Sequence, residues 1–127
     1  MKTYCLMNHN LTENQRNELD CKFGSSETVY PSQRLSALWA QVPAEERFDR
    51  GIVSCVTDWL SDAEKGDLLV VQGEMGMTFI IVDYALQKGL VPLHAVTKRE
   101  ETETCTGEKV EKHYVFRHVC FRRYERW

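Results

Sequence analysis

Residues Asp67 to Thr78 read DLLVVQGEMGMT, and the fold turns on this stretch. Leu68–Val71 is an unbroken apolar run between Gly66 and Gly73. Such a run suits a strand covered on both faces, so it is read as the central strand of a parallel sheet. Gly73-Glu74-Met75-Gly76 turns the chain, and Phe79, Ile80, Val82, Tyr84, Ala85 and Leu86 then carry an apolar helical stretch that stops at Lys88-Gly89. A helix that begins at the carboxyl end of a parallel strand aims unpaired backbone N–H groups at the crevice there, which favours an anion. The G-x-x-G spacing is neither the dinucleotide fingerprint nor a P-loop, and a tight strand-to-helix connection explains the two glycines equally well.

Working outward towards the N-terminus, Ala44–Glu46 open a helical segment whose apolar face is Phe48, Ile52, Val53, Val56, Trp59 and Leu60. Before it, Ser32 caps a helix with Leu35, Leu38, Trp39 and Val42 at helical spacing, stopped by Pro43. Glu27–Tyr30 and Thr3–Met7 read as strands. Between them Thr12 and Gln15 fit a capping box that starts a helix running to about Lys22 and ending near Gly24. Towards the C-terminus, Leu90–Val96 is a further buried-type strand with Pro92 near its start, ending in Thr97-Lys98-Arg99-Glu100. Glu101–Cys105 and Val110–Tyr124 flank a hairpin turn at Thr106-Gly107. Alternation in the second arm puts Val115, Arg117, Val119 and Phe121 on one face and Tyr114, Phe116, His118 and Cys120 on the other. This order predicts an α/β, Rossmann-like fold: a mostly parallel sheet flanked by helices, with a C-terminal β-hairpin.

The 127 residues fit one domain, 1–127, of ordinary globular composition, 43% hydrophobic and 28% charged. No apolar run approaches the roughly 20 residues that cross a bilayer. The opening MKTYCLMNHN has no long apolar segment or small-residue cleavage site, so a cytoplasmic location is expected. Five scattered cysteines with no C-x-x-C indicate neither a disulfide framework nor a zinc site. The net charge of −3 divides into −7 over residues 1–111 and +4 over 112–127. That balance excludes a protein that coats long nucleic acid but leaves room for a local cationic pocket.

Strands of a parallel sheet leave at one edge, so three polar sets should face one crevice: Asn8-His9-Asn10, Gln72-Gly73-Glu74 and Thr97-Lys98-Arg99. Together they offer amides, backbone donors, an imidazole and two fixed cations, without a serine–histidine–acid set or a carboxylate cluster for a metal. Phosphate recognition fits that inventory. Phosphodiester cleavage by an adjacent ribose 2′-hydroxyl needs only orientation and cationic stabilisation, with no metal and no cofactor.

Four blocks carry a resemblance: NHNLTENQ, LLVVQGEMGMT, LVPLHAVTKRE and VFRHVCFRRY. In this order they resemble the small stand-alone CRISPR-associated Csx-type ring nucleases of type III systems. The resemblance implies a CARF-like fold, a homodimer, and binding of cyclic tetra-adenylate across the dimer. It also implies cleavage to linear diadenylate with a 2′,3′-cyclic phosphate, which switches off antiviral effectors. Carried onto this chain, Asn8, Asn10, Gln72, Gly73, Glu74, Met75, Gly76, Thr78 and Thr97 would line the pocket, with Arg117 reaching it from the hairpin. His9 would position or deprotonate the 2′-hydroxyl, and Lys98 and Arg99 would stabilise the phosphorane-like charge. The family pattern has serine where Asn8 stands, so an amide replaces a hydroxyl there. A second reading with the same donors is a protein that sequesters the cyclic nucleotide without cutting it. A third is a domain for protein contacts through Trp127 and Arg122-Arg123-Tyr124.

Overall fold

Five strands and four helices alternate along residues 1–127, all of which the computed structural model describes. In chain order they are β1 (Lys2–Leu6), α1 (Glu13–Phe23), β2 (Glu27–Val29), α2 (Gln33–Ala40), α3 (Arg50–Trp59), β3 (Leu68–Val71), α4 (Met75–Lys88), β4 (Val91–Thr106) and β5 (Lys109–Arg123). The strands form one sheet in the order β2-β1-β3-β4-β5, parallel except for β5, which runs antiparallel to β4. The chain is thus α/β with a mostly parallel sheet, and β3 is its middle strand.

Alternate side chains of β3 serve two cores. Leu69 and Val71, with Tyr4 and Leu6 of β1, pack against Trp39 of α2, Ile52 and Val56 of α3, and Met77 and Ile81 of α4. Leu68 and Val70, with Cys5 and Met7, meet Leu19 of α1 and Phe121 of β5. Both faces are covered, which is why the run Leu68–Val71 has no polar interruption. Each fully buried Val or Leu side chain contributes roughly 1.5–3 kcal/mol, so this strand outweighs any single surface contact. It follows that α1 and α4 lie on opposite faces of the sheet.

Local signals set most helix ends. Thr12 Oγ1 accepts the Gln15 N–H at 3.2 Å while Gln15 Oε1 accepts the Thr12 N–H at 3.0 Å, and Gly24 closes α1 at φ 74°. Two helices depart from the expected bounds. α2 stops at Ala40, short of Val42, because a residue before proline is pushed out of helical backbone. α3 starts at Arg50, not Ala44, because Asp49 accepts the Gly51 N–H at 2.8 Å and Ala44 has no capping oxygen.

The largest correction concerns β4. It does not end at Val96 but continues through Thr97-Lys98-Arg99 to Thr106. Only Val91–Leu93 pair with β3. Beyond them the only strand paired with β4 is β5, and Gly107-Glu108 joins the two strands with positive φ only at Gly107, the pattern of a two-residue II′ turn. Val96 faces Cys120 and Thr97 faces His118, so Val119 stands unopposed as a bulge. The extra residue undoes the expected alternation. Phe121 is buried with His118, ring centroids 4.7 Å apart, and not on the face of the exposed Val119. Glu18 of α1 fastens this point, accepting the Phe121 N–H at 2.6 Å and pairing with His118 Nε2 at 2.8 Å.

Candidate functional site

Leu6 lies beside Val71 in the parallel β1–β3 pair, and the Gln72 N–H donates to the Leu6 carbonyl at 3.0 Å. Asn8-His9-Asn10 and Gln72-Gly73-Glu74 therefore leave the sheet side by side. From this point the chain turns to α1 on one face after β1, and to α4 on the other face after β3. Open α/β sheets hold ligands in the crevice made by that divergence. The neighbouring strand β4 supports one wall: its Ala95 N–H donates to Gln72 Oε1 at 2.7 Å. The Gln72 carbonyl oxygen is thereby engaged, and its amide nitrogen remains as a donor for a ligand.

The turn after β3 owes its composition to packing. A Cβ on Gly73 would stand 2.6 Å from Trp39 Nε1, and that same indole nitrogen donates to the Gln72 carbonyl at 2.9 Å. A Cβ on Gly76 would run into the Phe48 ring. Gly76 is not ahead of the helix but in its first turn, because Glu74 is the N-cap: its carboxylate accepts the Gly76 N–H at 3.0 Å and the Met77 N–H at 2.8 Å. Those two donors hold the Glu74 carboxyl below the usual carboxylate range. The helix end that the residue pattern offers to a phosphate thus already carries this chain's own anion, and Glu74 is a cap, not an open ligand contact.

A cavity of about 750 Å³ opens between α4, β4 and the last residues of the chain. Of the expected site residues, Gln72, Gly73, Met75 and Thr78 line it. Phe79, His94, Tyr124 and Trp127 line it too; the residue pattern assigns Tyr124 and Trp127 only to a protein-contact surface, and Phe79 and His94 to no site. Thr78 Oγ1 is buried with no hydrogen-bond partner, a costly state for a hydroxyl. Burial, with the Arg122 guanidinium beside it, pushes the His94 imidazole below the ordinary histidine range, so it is neutral at pH 7. Tyr124 donates its hydroxyl to the Val71 carbonyl at 2.8 Å and lies against His94, ring centroids 4.7 Å apart.

His9 and Asn10 line a separate, smaller cavity of about 270 Å³, with Tyr30, Gln33 and Ser36 among its walls. His9 is exposed, and its Nδ1 lies 2.8 Å from the Asn10 carbonyl. Asn8 is exposed on the rim between the strands. The third polar set does not sit in a turn. Thr97, Lys98 and Arg99 are exposed residues within β4, and with Arg117 they line neither cavity. Successive strand residues face opposite ways. Lys98 accordingly shares a face with its cross-strand neighbour Arg117, whose Nε meets Glu100 at 2.9 Å, while Arg99 points to the other face over the Tyr114 ring at 3.8 Å. The first two sets leave the sheet side by side but line separate cavities, and the third is split between the faces of a ribbon.

A family model described as "Uncharacterized protein MJ1673 family" matches residues 1–122. The chain belongs to that family. A relative in Methanocaldococcus jannaschii, described as "Uncharacterized protein MJ1673", is 27% identical over 124 residues, which cover 97% of this chain and 96% of the relative. No solved structure matches the chain. In this member of the MJ1673 family, no helix is long and apolar enough to cross a membrane.

Proposed function

We propose that the protein is a Rossmann-like, CARF-like ring nuclease that acts in the cytoplasm as a homodimer. It binds cyclic tetra-adenylate and cuts it to linear diadenylate with a 2′,3′-cyclic phosphate, ending a type III CRISPR signal. The observation that carries this reading is the divergence of the chain at β1 and β3, with Asn8-His9-Asn10 on one side of the crevice and Gln72 on the other. The aromatic walls of the larger cavity add stacking surfaces suited to a nucleobase.

In the reaction the ribose 2′-oxygen attacks its own phosphorus, a P–O2′ bond forms, and the P–O5′ bond breaks. The proton lost from the 2′-hydroxyl is passed on, and one is gained by the leaving 5′-oxygen. His9 orients or deprotonates the 2′-hydroxyl, and Lys98 and Arg117, which line neither cavity of their own subunit, offset the added negative charge from the partner subunit of the homodimer. A two-fold ring receives the same contacts from each subunit of a two-fold dimer. Incubation of purified protein with labelled cyclic tetra-adenylate in EDTA, followed by chromatography, tests the reading. Linear diadenylate is expected, and an unchanged ring at stoichiometric protein contradicts cleavage.

Sequestration without cleavage is the second reading, and one observation favours it. Two of the backbone donors at the start of α4 are taken by Glu74, which leaves fewer to stabilise the charge added in the transition state. Tight binding with no product is its signature.

A further inference from the structure

The ribbon of Thr97–Thr106 and Lys109–His118 leaves the body of the protein uncovered. Ten residue pairs run beyond the bulge, about 33 Å of strand at roughly 3.3 Å a residue. Every residue from Glu101 to Arg117 is exposed. A two-stranded ribbon with neither face packed is marginal in water. This one nevertheless carries Val110, Tyr114 and Phe116 on one face, 59%, 46% and 68% exposed. β5 is also the last strand of the sheet, so its outer N–H and C=O groups are open to another strand.

We propose that the ribbon is a dimerisation arm: the β5 edge of one copy pairs antiparallel with the β5 edge of a second copy, joining their Val110-Tyr114-Phe116 stripes on one face. Charge selects a second copy over other occupants. Between Thr97 and His118 there are five basic and five acidic residues, interspersed. Such a surface has no net field to attract nucleic acid or an anionic lipid surface, and it sets no like-charge penalty against itself. A copy of the same strand also brings the same alternation, so apolar residues meet apolar residues in any register that a two-fold axis perpendicular to the sheet allows. The β5 edge offers Lys109–His118 of each copy for main-chain pairing. Direction adds a consequence. The ribbon extends past the carboxyl rim of the parallel strands, so antiparallel pairing of two ribbons turns the two rims towards each other about a two-fold axis. That arrangement suits a shared two-fold ligand, but the inference does not rest on the nucleotide reading, because the association needs no ligand.

Light scattering on the eluting full-length chain, without nucleotide, tests it. A dimer mass is expected for the wild type. Tyr114→Asp and Phe116→Asp should each raise the dissociation constant about 30-fold or more, the effect of losing a central aromatic contact, with helical circular dichroism unchanged. Amide exchange on the wild type provides a readout free of substitutions: the Val110–Phe116 amides should exchange slowly in the dimer and rapidly on dilution. A wild-type monomer at the highest soluble concentration overturns the proposal. So does a dimer indifferent to both substitutions, or exchange in β5 that does not depend on concentration.

Discussion

Two turns leave the same rim one strand apart, and different forces hold them. The Gln72–Gly76 turn is pressed against Trp39 and Phe48, tied by the Trp39 indole to the Gln72 carbonyl, and capped by Glu74. The Asn8–Asn10 turn is exposed, and the contact that closes it is its own His9–Asn10 hydrogen bond. Residue types mark both as ligand-facing. Packing separates them: the buried Trp39 accounts for Gly73 in the first, whereas nothing in the fold requires the imidazole of the second. Substitution in the first turn should therefore cost folding, and substitution in the second should cost only ligand chemistry.

The largest expected effect is on the exposed side of that comparison. His9→Ala should lower turnover of cyclic tetra-adenylate roughly 100-fold, the scale of a lost general base, with an unchanged melting temperature. A lowered melting temperature would erase the distinction. Lys98→Ala should act on turnover like His9→Ala, while Arg99→Ala, on the opposite ribbon face, should retain most of it. Equal losses in single-turnover assays would mean that both faces reach the ligand.

Next comes the packed turn. Gly73→Ala forces a methyl into the Trp39 ring and should destabilise the protein by about 1–3 kcal/mol in urea titrations, the range for overpacking. Trp39→Phe keeps an aromatic ring but removes the 2.9 Å bond to Gln72, and about 1 kcal/mol of stability should go with it. Stability unchanged in both would show that the turn is not held by the core.

The smallest effect sharpens the role of Glu74. Its carboxyl is held below its unfolded value by the Gly76 and Met77 N–H groups. The stabilisation is present above the ordinary glutamate pKa of about 4.3 and is lost as pH falls through the lower folded value. Glu74→Gln should melt below the wild type at neutral pH, and the gap should close in acid. A gap that persists at low pH would assign the cap to something other than the charge.

Much of the body was legible in the residues because each element there carries its own signal. Leu68–Val71 has no polar interruption since both its faces are covered, and Thr12 with Gln15 form the capping box their spacing predicts. The C-terminal hairpin was legible from its turn, but the continuity of its first arm with β4 was not. Thr97–Thr106 has no apolar period, and only pairing with β5 makes it a strand. The bulge at Val119 exchanges faces without any glycine or proline to announce it. Half of the candidate site was hidden for a related reason. His94 and Tyr124 become its walls because the Tyr124 hydroxyl reaches Val71, a contact 53 residues apart in the chain. Glu74, an uncommon capping residue, conceals its role in the same way.

Calorimetric titration of the protein with cyclic tetra-adenylate in EDTA tests the central claim most directly, whether or not the ring is then cut. Binding of one ring per two chains, weakened by Lys98→Ala, is the predicted result. No heat of binding with a cyclic oligoadenylate of any ring size would contradict it.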